Sequence, residues 1–220
     1  MMKIPQFDAV IFDMDGVIID SEDLYTELEQ DLFRKVGLNI SHDEHLTYQG
    51  TSNIMMWTKI LQKHKVQLPF DELVEMTNRM VEEHFTSVLA VEPMPGVRKL
   101  IDFLLERRVK LALASSSTLK IMELILERCQ LKNAFQVVVD SRMAGAGKPN
   151  PAVFLMAAQQ LGVSPPKCIV IEDSFNGIKG ALAAGMFCIA FAGPGSEHQN
   201  QSMANWRIGH FDEIIAAIEN

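Results

Sequence analysis

Five short runs of β-branched and other apolar residues punctuate the chain: FDAVIF (7–12), VKLALA (109–114), FQVVV (135–139), CIVI (168–171) and FCIAF (187–191). Runs this short and this continuously apolar predict strands buried on both faces. Between the later runs the spacing turns helical, in LKIMELILERC (119–129), PAVFLMAAQQLG (151–162) and GIKGALAAG (177–185). RKLIDFLLERR (98–108) precedes the second run, and FDEIIAAI ends the chain with another helical pattern. Pro151 suits the start of its helix, and Gly185 suits the end of the last one. Such alternation predicts an α/β fold, a doubly wound parallel sheet with helices on both faces.

One interval breaks the pattern. Between the first two strands, residues from about 20 to 90 hold only helical patterns. Leu24, Leu28, Leu32 and Val36 repeat at i, i+4, with Ser21 placed to cap that helix. Ser41 and Glu44 have capping-box spacing, and IMMWTKILQKH and FDELVEMTNRMVEEHF follow. A crossover between neighbouring parallel strands needs one helix, not about four. The expected organisation is a catalytic core of residues 1–19 and 93–220, with a helical cap inserted over 20–92.

A chain of 220 residues can bury roughly 70% of its unfolded surface, so it needs no disulfide or metal staple to fold. A net charge of −8 argues against nucleic acid as the partner. It leaves room for an anionic small molecule, since a metal ion and one lysine reverse the field locally. Cys129, Cys168 and Cys188 show no metal spacing and suit a reducing cytoplasm. The start MMKIPQ lacks signal-peptide character, and no 18-residue apolar run predicts a membrane span. Oligomeric state is not legible.

In an open parallel sheet, ligands bind beyond the carboxyl ends of the strands. The first strand ends in Asp13 and Asp15, the second in Ser115 and the fourth in Glu172 and Asp173, while GAGKPNP presents Lys148. Each signal alone has a plainer reading. DMDG makes a turn, SSS or EDS caps a helix, and a loop lysine is solvated. Together, four carboxylates, a hydroxyl and a lysine converge on one sheet edge. A hard divalent cation such as Mg²⁺ takes oxygen ligands, and Asp13, Asp15 and Asp173 offer them. A carboxylate so held can attack phosphorus, and a second one two residues on can shuttle the proton. Serine and lysine can hold the phosphoryl oxygens.

FDMDGVIIDSE, LASSS, GKPNP and VIEDSFNGIKGALAAG, in that order, resemble the motifs of the haloacid dehalogenase superfamily. The resemblance is to the subgroup with a helical cap after the first strand. It implies Asp13 as nucleophile and Asp15 as general acid and base. It implies Mg²⁺ on Asp13, the Asp15 carbonyl and Asp173, with Glu172 beside them. It implies phosphate held by Ser115, the Ser116 backbone and Lys148. The reaction expected is hydrolysis of a small organic phosphate ester, a sugar phosphate by analogy.

Dehalogenases of the superfamily lack the second aspartate, which is present here as Asp15. A β-phosphoglucomutase-like mutase must grip a second phosphate. Where such mutases carry a histidine, an arginine and a lysine, this chain reads Tyr25, Asn53 (after the cap-loop Gly50) and Thr118. That favours a phosphatase. Receiver domains also accept phosphate on strand-end aspartates, but they are half this length and have no cap. A non-catalytic binding role is disfavoured because none of the motif residues is lost. The two histidines of HDEH (42–45) are taken as a solvated helix start rather than metal ligands. Met55, Met56, Met76 and Met80 are taken as core, with room for one or two to touch a ligand.

Overall fold

The computed structural model describes residues 4–48 and 51–219. Six strands form one sheet, in the order β3-β2-β1-β4-β5-β6: β1 (Ala9–Phe12), β2 (Lys110–Ser115), β3 (Val137–Asp140), β4 (Cys168–Glu172), β5 (Phe187–Phe191) and β6 (Trp206–Ile208). Every pairing is parallel. Strand order reverses direction at β1, which lies between β2 and β4, so the crevice at its carboxyl end is the switch point of the sheet.

Alternation along the strands separates two cores. Val10, Phe12, Leu111, Leu113, Ile169 and Ile171 face one side. There they meet α5 (Val97–Glu106), α6 (Leu119–Arg128) and α9 (Asp212–Glu219) through Leu100, Ile121 and Ile214. Ala9, Ile11, Ala112, Ala114 and Val170 face the other side, against Val153, Phe154 and Ala157 of α7 (Ala152–Leu161) and Ile178 of α8 (Phe175–Ala183). Phe154 is fully buried against this face.

Between β1 and α5 stand α1 (Glu22–Lys35), α2 (His42–Leu46), α3 (Asn53–His64) and α4 (Phe70–Ser87). Helices α1, α3 and α4 share an apolar cluster around Leu32, Phe33, Trp57, Ile60 and Leu73, while Val81 and Phe85 near the end of α4 join the sheet-side core. The buried Trp57 indole donates to Thr77 Oγ1 at 2.9 Å. The stripe read on α1 is divided: Leu32 and Val36 join this cluster, while Leu24 and Leu28 pack on the sheet-side core.

Several local expectations are corrected. β6 has no counterpart in the sequence expectation, because three residues with Arg207 in the middle are too short to stand out as an apolar run. β3 starts two residues later than FQVVV predicts, since Phe135 turns inward to meet Phe12 edge to face at 5.8 Å. Ser21 makes no capping hydrogen bond to α1. Half of the expected capping box exists: Glu44 N–H donates to Ser41 Oγ. The Glu44 carboxylate turns away to Tyr48, Lys63 and His64. His42 is exposed, but His45 is buried against Phe33 rather than solvated. Met56 is buried in the helical cluster, as expected, and also lines the pocket described below. All three cysteines are buried free thiols. No helix among the described residues is long and apolar enough to cross a membrane.

Candidate active site

Asp13 leaves β1 with its N–H bonded to the Ile171 carbonyl of β4. The chain then turns sharply, because Val17, Ile18 and Ile19 N–H groups all point to the Met14 carbonyl. Gly16 lies at φ +74°, and a Cβ there would sit 2.3 Å from Asp173 Oδ2. The glycine that ends the aspartate pair is therefore required twice, by the turn and by the carboxylate opposite.

Lys148 crosses from the glycine loop into the centre. Its Nζ donates to Asp13 Oδ1 and to Glu172 Oε1, both at 2.6 Å. The second Glu172 oxygen accepts from the N–H groups of Asp173 and Ser174, at 2.9 Å each, and from Ser174 Oγ. Ser174 Oγ in turn caps α8 by accepting from Gly177 N–H. The Asp173 carbonyl is held from behind by the buried amide of Gln201.

Asp15 is held apart from the lysine. Ser21 Oγ donates to its Oδ1 at 2.7 Å and Ser117 Oγ to its Oδ2 at 2.9 Å. Ser115 is buried at the end of β2 and accepts from Ser117 N–H. Tyr25 of α1 reaches Ser117 Oγ at 3.2 Å. The hydroxyl that sequence reading gave to a helix cap, Ser21, is thus spent on the second aspartate. The third serine of SSS, Ser117, does the same work. Its only signal was its distance from the strand end.

Burial governs the charges. It raises Asp13 to about 8, with the neighbouring Glu172 charge adding to the effect and Lys148 opposing it. Burial, then Glu172 and Asp13, pushes Asp173 well above the ordinary carboxylate range. Burial also raises Asp15, against the hydrogen bonds from Ser21 and Ser117. Burial alone would lower Lys148, but the Asp13 and Glu172 charges outweigh it and raise it.

Asp13, Glu172 and Asp173 each offer an oxygen to a point within 4.8 Å of one another. Three buried carboxylates share one ammonium, so without a cation Asp13 and Asp173 are pushed towards their protonated forms, and the all-oxygen donor set fits a hard divalent cation that would let them ionise. Both Glu172 oxygens are already occupied by hydrogen bonds. Its observed role is to hold Lys148 and the 173–174 turn, which leaves Asp13 and Asp173 as the more open donors.

One pocket between the sheet edge and the helical insertion is lined by Asp13, Asp15, Ser115, Ser116, Lys148 and Asp173. Tyr25, beside Ser117, and Asn53 also line it, and the Asn53 amide donates to Asn78 Oδ1 at 2.8 Å. Thr118 does not line this pocket; its hydroxyl caps α6. Gly50 lies outside the described residues. The pocket also contains Glu29, which has no signal in the sequence, and His45, which sequence reading places at a solvated helix start.

The motif pattern of the haloacid dehalogenase-like hydrolases matches residues 10–191. The chain is 30% identical to hexitol phosphatase B of Escherichia coli O157:H7 over 96% of each sequence. It is 33% identical to the phosphorylated carbohydrates phosphatase of Thermotoga maritima over 81% of this chain and 82% of that one. It superimposes on the crystal structure of β-phosphoglucomutase from Clostridium difficile with a TM-score of 0.84, at 25% identity, covering 97% of this chain and 98% of that one. With the four motifs meeting at the switch point of the sheet and these matches spanning most of the sequence, the chain belongs to the haloacid dehalogenase-like hydrolase family.

Proposed function

We propose that the protein is a Mg²⁺-dependent phosphatase acting on a small sugar or polyol phosphate through an aspartyl-phosphate on Asp13. The observation that carries this reading is the unequal treatment of the two aspartates. Asp13 is bound to Lys148 beside Asp173, while Asp15 is set on two hydroxyls at the pocket wall. A carboxylate oxygen of Asp13 forms the bond to phosphorus as the ester P–O bond breaks. Asp15, whose raised pKa favours the protonated form, gives its proton to the departing oxygen. It then takes a proton from the water that attacks the aspartyl-phosphate, releasing phosphate and restoring Asp13. Ser115, the Ser116 backbone and Lys148 hold the phosphoryl oxygens. Asp13, the Asp15 carbonyl and Asp173 would hold Mg²⁺, which supplies charge neutralisation for the carboxylates and the phosphate.

The phosphatase reading is preferred to a mutase because Tyr25 and Asn53 stand where a mutase carries a histidine and an arginine, and the described residues lining the pocket include no lysine or arginine besides Lys148 to pair with a second phosphate. Phosphate release from polyol and aryl phosphates, set against isomerisation of β-glucose 1-phosphate, tests this choice. Efficient glucose 6-phosphate formation would overturn it.

A further inference from the structure

The pocket has a charged wall that the phosphoryl chemistry does not use. Glu29 of α1 and His45 of α2 meet there, with Glu29 Oε2 2.5 Å from His45 Nε2. Glu29 is only 9% exposed and His45 only 3%. On its other edge, His45 Nδ1 lies 3.3 Å from the Gln30 amide nitrogen, which also donates to the Ile40 carbonyl. An amide N–H directed at Nδ1 assigns the ring proton to Nε2, where it points at Glu29. The imidazole thus fixes one carboxylate oxygen. The other, Oε1, accepts no hydrogen bond from any described residue, which is costly for a buried acceptor unless a ligand completes it.

The charge of the wall narrows what that ligand is. Lys148 is the only lysine or arginine among the described residues lining the pocket, and it is already bound by Asp13 and Glu172. The lining also includes Glu22 and Glu29 beside the neutral amides of Asn53 and Asn78; burial, then the neighbouring carboxylates, raise Glu22 to about 7, so it adds only part of a charge at neutral pH. Within this pocket, a leaving group with a carboxylate or a second phosphate would meet Glu29 and, among the described residues, no lysine or arginine besides Lys148.

We propose that Glu29, positioned by His45, reads the leaving group: it accepts a hydrogen bond from a hydroxyl of a neutral polyol chain and rejects chains with a second anionic end. This rests on the phosphatase reading above. A hydrogen bond to a charged acceptor, lost or replaced by repulsion, changes kcat/KM by about tenfold or more.

The test compares glucitol 6-phosphate, 6-phosphogluconate (the same chain ending in a carboxylate) and p-nitrophenyl phosphate. Wild-type enzyme should favour the glucitol ester over 6-phosphogluconate by about tenfold or more. Glu29→Gln should lower the glucitol-to-aryl ratio of kcat/KM by about tenfold and shrink the discrimination against the carboxylate. His45→Gln should raise KM for the glucitol ester more than it lowers kcat. Equal wild-type rates on the two sugar esters would overturn the inference, and that comparison needs no variant. So would an unchanged ratio in Glu29→Gln shown by circular dichroism to be folded. Failure of wild type to release phosphate from all three esters would instead remove the phosphatase reading, and this inference with it.

Discussion

Glu172 occupies the space that a side chain on residue 177 would need: a Cβ added to Gly177 would lie 1.7 Å from Glu172 Oε1. That oxygen is the one that receives Lys148. The first turn of α8 is therefore built around the carboxylate that holds the central lysine. Gly177→Ala should push Glu172 off Lys148, destabilise the protein by about 1–3 kcal/mol and lower kcat/KM by at least about tenfold. Denaturant unfolding and aryl phosphate kinetics measure the two effects. A neutral substitution would mean that the site does not depend on this contact.

Asp15 is expected to act on the leaving group and not on the phosphoryl oxygens. Asp15→Asn should slow esters of poorly leaving alcohols far more than esters of acidic phenols, because only the former need a proton. A leaving-group series measured under steady-state conditions shows this as a steepened dependence on the alcohol pKa. Equal losses across the series would contradict the assignment.

The buried carboxylates give the metal-free protein an unusual pH dependence. Asp13 rises from 3.8 to about 8 on folding, so the native state holds a proton over that window and the unfolded chain does not. Stability without metal should fall as pH rises from about 4 to about 8. Mg²⁺ displaces those protons, so its stabilising shift in Tm should grow with pH over the same range. Thermal melts with Mg²⁺ and with chelator measure it. A Mg²⁺ shift that shrinks with rising pH would contradict the picture.

Glu44 behaves in the opposite sense. Its partial burial alone would raise its pKa, but hydrogen bonds from His64, Tyr48 and Lys63 hold it at about 2. The unfolded value is 4.5, so its contribution is present above that pH and is lost as pH falls towards 2. Glu44→Gln should lower Tm at neutral pH and have little effect near pH 2. The comparison uses the two melts side by side, and an equal deficit at both pH values would refute it.

The sheet was legible because its strands are buried on both faces and read as unbroken apolar runs. β6 lacks that signal, since an edge strand of three residues with a central arginine looks like a loop. The residues at the strand ends were legible because topology alone places them together: Asp13, Ser115, Lys148 and Asp173 line one pocket. What the sequence hid were the partners chosen by packing. Ser21 precedes a helix and has the composition of a cap, yet the turn over Gly16 carries it to Asp15. His45 stands in a polar stretch, yet it is buried on Glu29 of α1 and against the Phe33 ring. Side chains 16 residues apart in sequence carry no spacing signal for such a pair.

The most direct test of the account is phosphate release from p-nitrophenyl phosphate and glucitol 6-phosphate by wild type and by Asp13→Asn, with Mg²⁺ and with chelator. The account predicts release by wild type in Mg²⁺, none with chelator, and none by a folded Asp13→Asn under either condition. Release by Asp13→Asn, or release undiminished by the chelator, would contradict it.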